Sequence, residues 1–176
     1  SCLRHTEGPT THFHSAITPV IVSPGHAQVV PLRPEFIVPQ DGQAKQDCEI
    51  NAAKRWLCAH ATRYATGNDT LLGDDLYAHQ PFCRQVLLHG FHFLFTCKPA
   101  SHAHLGSWIE GLQANGQLHT LKLKLKGKSH RWEHHQYRWA NAVPLTDSDD
   151  ALKVNWCEVT ITNAEGAGLY RNAFIT

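Results

Sequence analysis

The stretch TLLGDDLYAHQPFCRQVLLHGFHFLFTC, residues 70–97, decides the fold. Its first four residues form a short apolar run stopped by Asp74 and Asp75, which reads as a strand ending in carboxylates. Between Gln80 and His89, Phe82, Val86 and Leu87 recur at helical spacing, and FHFLFTC at 91–97 reads as a second strand. Strand, helix and strand make a β-α-β unit, with a right-handed parallel crossover expected. On the C-terminal side, Ser101 is placed to cap a helix that runs to about Gln113 and closes at Asn115-Gly116.

Upstream, HFHSAITPVIVS (12–23) and AQVVPLR (27–33) flank Pro24-Gly25 and predict a hairpin. From Ala44 to Tyr64, Cys48, Ala52, Ala53, Trp56, Leu57, Ala61 and Tyr64 fall three or four apart, the signature of a helix with one buried face. A turn is expected at Gly67-Asn68-Asp69. After residue 116 the period changes from helical to two. LHTLKLKLKGK, WEHHQYRWANAVPL, LKVNWCEVTIT and LYRNAFIT predict a β meander. In LHTLKLKLKGK, Leu121, Leu123 and Leu125 are expected to pack while Lys122, Lys124 and Lys126 face solvent.

The chain has 176 residues, 42% hydrophobic and 18% charged, which suits one domain with a sizeable core, or one domain carrying a large insertion, and excludes a disordered tail. Sixteen Lys and Arg offset fifteen Asp and Glu, so attraction to nucleic acid would have to come from local patches. No apolar run approaches the ~18 residues of a membrane span, and no signal-peptide pattern opens the chain. These features predict no membrane partner and a cytoplasmic protein. The absence of Met and the opening Ser1 read as an internal piece of a longer product. Six Cys without a C-x-x-C pair read as buried thiols in a reducing compartment. The fourteen His include the close pairs His102/His104 and His134/His135, but neither pair has zinc-ligand spacing. Cys2 stays open as a ligand.

By residue type alone, Asp74 and Asp75 admit two readings: an ordinary turn or cap, or ligands for a hard divalent cation. Asp47 and Glu49 suit the first turns of the long helix, where its dipole favours negative charge, with Lys45 and Glu49 an i, i+4 pair. A part in placing DNA or the metal-bearing sheet is the other reading of those two acids. Lys122, Lys124, Lys126 and Lys128, with Arg131 and Arg138 nearby, are either a solvated strand face or a phosphate-contacting ladder. Trp132, Tyr137 and Trp139 add packing or stacking surface.

The segment LLGDDLYAHQPFCRQVLLHGFHFLFTCKPASH (71–102) resembles the middle of the catalytic core of bacterial insertion-sequence transposases of the DDE type. PLRPEFIVPQDGQAKQDCEINAAKRWL (31–57) looks like the segment before it, and the likeness runs on to the closing FIT. The order KQDCE, AAKRWL, GDDLYA, KPASH is more specific than any one motif. The resemblance implies an α/β, RNase H-like core, incomplete here and spanning 1–116, with an all-β insertion over 117–176. It also implies three acids holding two Mg²⁺ or Mn²⁺ ions for phosphodiester cleavage and strand transfer. Asp74 matches the second acid, because Asp74-Asp75-Leu76-Tyr77 follows the family's acid, variable, small or apolar, aromatic order. In the family the first acid lies on a strand upstream of this hairpin and the final Glu on a helix after the β-rich insertion, so both are expected outside these residues. Glu158 falls in a predicted strand with no following helix and does not fit the third acid. Partners implied are double-stranded DNA, as element ends and target, and further copies of the intact protein, in a bacterial, nucleoid-associated setting. DNA-contact candidates are Lys98, His102, Lys122, Lys124, Lys126, Lys128 and Arg131. The alternatives are a DNA-binding or interaction module without chemistry, derived from a transposase, and a zinc-binding structural domain.

Overall fold

The computed structural model describes residues 2–3, 11–12, 14–38, 47–65, 68–127 and 129–176. Two compact units divide between Tyr64 and Ala65.

In the first unit, β1 (Cys2–Leu3) pairs antiparallel with β2 (Thr11–His12). The predicted hairpin is present but broken into two rungs. β3 (Ser15–Ile17) pairs with β6 (Glu35–Ile37), and β4 (Val20–Ile21) pairs with β5 (Val30–Pro31). The break falls at Pro19, which has no N–H to give the ladder, although its carbonyl accepts from Leu32 N at 2.9 Å. At the tip, His26 N donates to Ser23 O at 3.1 Å, and Gly25 takes φ +79°, as the third position of such a turn requires. Helix α1 (Glu49–Tyr64) buries Ala52, Ala53, Trp56, Leu57 and Ala61. It starts later than the periodicity implies: Asp47 precedes it, Cys48 is exposed, and Ala44 and Lys45 lie outside the described residues, as does Gly67 of the following turn. Trp56 Nε1 donates to Arg33 O at 2.8 Å, fixing the hairpin base to the helix.

In the second unit, β7 (Thr70–Gly73), α2 (Gln80–Leu88) and β8 (His92–Thr96) form the expected β-α-β unit, with β7 and β8 parallel. Pro81 in the first turn of α2 costs no intrahelical bond. Gly90 at φ +83° ends the connection into β8. Phe82 of α2 meets Phe95 of β8 at 5.9 Å between ring centres, and both are buried, each stabilising by about 1.5–3 kcal/mol. α3 (Ala103–Ala114) follows a short 3-10 turn at Pro99–Ser101. Ser101 does not cap it. His102 holds that position and makes no side-chain cap.

The meander is β9 (His119–Lys126), β10 (Trp132–Pro144), β11 (Lys153–Asn163) and β12 (Gly168–Ile175), each antiparallel to the next. These strands continue the sheet of the β-α-β unit. β12 pairs antiparallel with β8 through Phe174↔Thr96 and Ile175↔Phe95, giving the order β7-β8-β12-β11-β10-β9. The chain is thus a mixed α/β protein with a six-stranded mixed sheet.

Burial is concentrated toward β8. Ala140, Trp156, Ala173 and Ile175 are buried on the face that α2 and α3 meet, whereas every residue of β9 is exposed. The expected packing of Leu121, Leu123 and Leu125 is therefore corrected: they are 46%, 39% and 42% exposed, because β9 is the sheet's edge. Register places them on the same face as Leu72 and Leu94, opposite the helices, and those two are also exposed.

Candidate functional site

The site is built at the C-terminal ends of two adjacent parallel strands, where open α/β sheets present ligand-binding groups. Beyond β7 the chain turns at once. Asp74 Oδ1 accepts the Leu76 N–H at 2.9 Å, and the Asp74 carbonyl accepts the Tyr77 N–H at 3.2 Å. This is the local bonding by which Asp favours turns. A Cβ on Gly73 would lie 2.9 Å from both Phe95 Cδ1 and Tyr77 Cδ2, so the strand end lies hard against these rings. Asp74 is exposed and, among the described residues, in no ion pair.

Asp75 does different work. Its side chain is 13% exposed, and its Oδ1 accepts the Lys98 backbone N–H at 2.6 Å. Burial pushes its pKa up, but the Ser101 hydroxyl, the Lys98 N–H and the nearby His102 and Lys98 charges outweigh this and hold it below the usual carboxylate range. His102 Nε2 lies 3.3 Å from the same Oδ1, close enough for electrostatic contact but not aligned as a hydrogen bond. Burial lowers the His102 pKa. Asp75 opposes that, and His79, whose ring centre is 5.8 Å away, adds to it. The segments GDDLYA and KPASH, far apart in sequence, thus meet as a carboxylate and its clamp.

The DNA-contact candidates separate. Lys98 and Arg131 are exposed, and Lys122, Lys124 and Lys126 project from one face of β9. His102 is corrected: it is buried against Asp75 and offers no surface to DNA. Lys128 lies outside the described residues. No group of three His, Cys, Asp or Glu able to hold a metal occurs among the described residues. No described helix is long and apolar enough to cross a membrane. The side chain of Cys2 lies outside the described residues.

Asp47 is a structural staple. Arg55 donates to both its oxygens at 3.0 and 2.9 Å, and the Val38 N–H donates at 3.0 Å. The Arg55 hydrogen bonds pull the Asp47 pKa down against burial. Arg55 also reaches Glu35 at 2.8 Å, which ties α1 to the hairpin.

Sequence reasoning missed the role of Glu158. This buried carboxylate accepts from Arg138 Nε at 2.9 Å and from Arg171 Nη2 at 2.9 Å, while Arg138 Nη1 reaches Gln113 of α3 at 2.7 Å. The only signal available was three ionisable residues on strands with alternating burial, and it does not reveal that they pair.

No protein-family model and no curated protein sequence matches this chain.

Proposed function

We propose that the chain is the central part of an RNase H-like core of a DDE-type DNA transposase, with Asp74 one of the acids that hold divalent ions for phosphodiester cleavage and strand transfer. The observation that supports this is an exposed carboxylate at the C-terminal end of β7, on a turn fixed by the Asp75 clamp, where an ion and a phosphate have open access. The described residues do not by themselves fit a two-ion site. Asp75 is already engaged, and one carboxylate is too little charge to hold two Mg²⁺ ions. The reading therefore takes the other two acids from outside the described residues, and Lys98, exposed beside the site, as a phosphate neighbour.

Mn²⁺ titration followed by NMR line broadening tests it. Broadening should centre on Gly73–Tyr77 and vanish in Asp74→Ala. Broadening that survives in Asp74→Ala, or that centres elsewhere, overturns the assignment. That Asp74 is, among the described residues, the one carboxylate at this strand end open to an ion favours a second reading, a DNA-binding module without chemistry. Under that reading the intact protein would bind DNA without cleaving it in Mg²⁺ or Mn²⁺.

A further inference from the structure

We infer that the helix-bearing face of β9, β10 and β11, beyond the end of α3, is a binding groove for the phosphodiester backbone of nucleic acid. The ladders set Lys122 opposite Gln136 and Lys124 opposite His134, and then Gln136 opposite Thr160 and His134 opposite Thr162. Directly paired residues share a face, so these six side chains form one surface. Together with Leu123 and His135, which reach it from the alternate positions of β9 and β10, they line a shallow groove of about 390 Å³ at the sheet edge.

The chemistry of the groove is one-sided. Ammonium groups, hydroxyls, an amide and two imidazoles can donate hydrogen bonds, and no carboxylate lines the groove, although His135 Nε2 lies 3.1 Å from Glu133 Oε2. The nearest acid on this face of β11 is Glu158, and Arg138 and Arg171 already saturate it, leaving two cations against one anion. Trp132 holds two of the lysines in place: Lys124 and Lys126 Nζ lie 5.2 and 5.4 Å from its ring centre. This cation–π contact fixes the stems and leaves ammonium N–H groups for an incoming oxygen.

Lys122 and Lys124 line the groove and Lys126 continues the row just beyond it, the three repeating at about 7 Å, twice the rise per strand residue. A row of evenly spaced cations suits a repeating polyanion better than a single phosphate. An acidic peptide would be expected to add along the open β9 edge. The groove instead crosses three strands, and its cations match the repeating phosphates, which carry no sequence information, so binding should tolerate sequence.

This inference deepens the reading above by naming the surface that carries the DNA, but it needs neither metal nor catalysis. The test is fluorescence anisotropy with a labelled mixed-sequence DNA duplex across a KCl series in EDTA. The triple variant Lys122→Gln, Lys124→Gln, Lys126→Gln should lower the slope of log K against log salt by about 0.9 per lost contact, and by two or more in all. Thr160→Val with Thr162→Val should weaken binding several-fold and leave the slope unchanged. Lys54→Gln, on α1, should bind as the parent does. Circular dichroism and thermal unfolding check that each variant folds. An unchanged slope in the triple variant overturns the groove, as does a poly-glutamate of equal charge that competes as well as DNA. Failure of Asp74-dependent ion binding with the groove intact overturns only the enzyme reading.

Discussion

Glu158 stands directly opposite Arg138 in the β10–β11 ladder, with its carboxylate buried between that guanidinium and the one from Arg171 on β12. Three strands and, through Gln113, helix α3 are joined by one acid. Removing that acid leaves two cations without their counter-charge. Glu158→Gln should therefore destabilise the fold by about 3 kcal/mol, the lower end for a broken buried pair because Arg171 keeps access to water. Urea unfolding measures this. A loss under 1 kcal/mol would mean that the three groups are solvated in solution.

Gly73→Ala should cost about 1–3 kcal/mol, because its Cβ would press on ring carbons of Phe95 and Tyr77 and not on a flexible chain end. Since the strand end also carries Asp74, the amide resonances of residues 74–77 should shift in the same variant. An unchanged unfolding midpoint would show that the rings have room to retreat.

Stability should begin to fall with pH before the carboxylates titrate. The folded His102 pKa lies below the unfolded value of about 6.5, first because of burial and then because of His79, with Asp75 opposing. As pH drops past 6.5 the unfolded chain takes up this proton first. The contribution is thus full above that pH and is lost as pH falls toward the folded value. Asp75 and Asp47, both lowered, contribute stability above the ordinary Asp pKa of about 3.9, and this is lost only as pH falls below that value toward their folded pKa values. An NMR titration of the His102 ring checks the sign, and a midpoint at or above 6.5 would contradict it.

Thiol labelling should divide the cysteines by burial. Burial pushes Cys83 and Cys97 up to about 12, so both should resist iodoacetamide in the native protein at pH 8 and react after unfolding. Cys48 and Cys58 are exposed and should label first. Peptide mass spectrometry resolves the sites, and rapid native labelling of Cys83 would show that the α2–β8 core opens readily.

The 176-residue chain alone should not cut DNA. With Asp75 committed to its clamp, Asp74 has no described carboxylate partner with which to hold two ions. Supercoiled plasmid incubated with Mg²⁺ or Mn²⁺ should show no nicking above an Asp74→Ala control. Nicking that depends on Asp74 would falsify this.

The β-α-β unit and the meander were legible because Phe82 and Val86 keep the helical period and Leu121–Lys126 keep the strand period. Periodicity names the two faces of a strand. It does not say what covers them, so it placed Leu121, Leu123 and Leu125 inside when no helix lies over them. Ser101 carried the residue type of a cap, yet its hydroxyl serves Asp75, a partner 26 residues away. Asp74 and Asp75 were legible as a pair, but their division of labour depends on Lys98 and His102, which only the adjacency of β7 and β8 brings near. The Glu158 cluster was invisible for the same reason. Its partners lie 20 and 13 residues away.

The pairing of β12 with β8 sets the order in which the second unit can be completed. Strand β8 gains its second neighbour only when Phe174 and Ile175 arrive, about eighty residues later in the chain. During synthesis, which releases N-terminal segments first, β7, α2 and β8 must wait with one backbone edge unpaired. The long loop that closes this contact makes the step slow, while the hairpins between β9 and β12 are local and fast. A late-folding central strand is a natural target for chaperone capture, and single-residue changes at Phe174 or Ile175 should slow folding more than equal changes in β9.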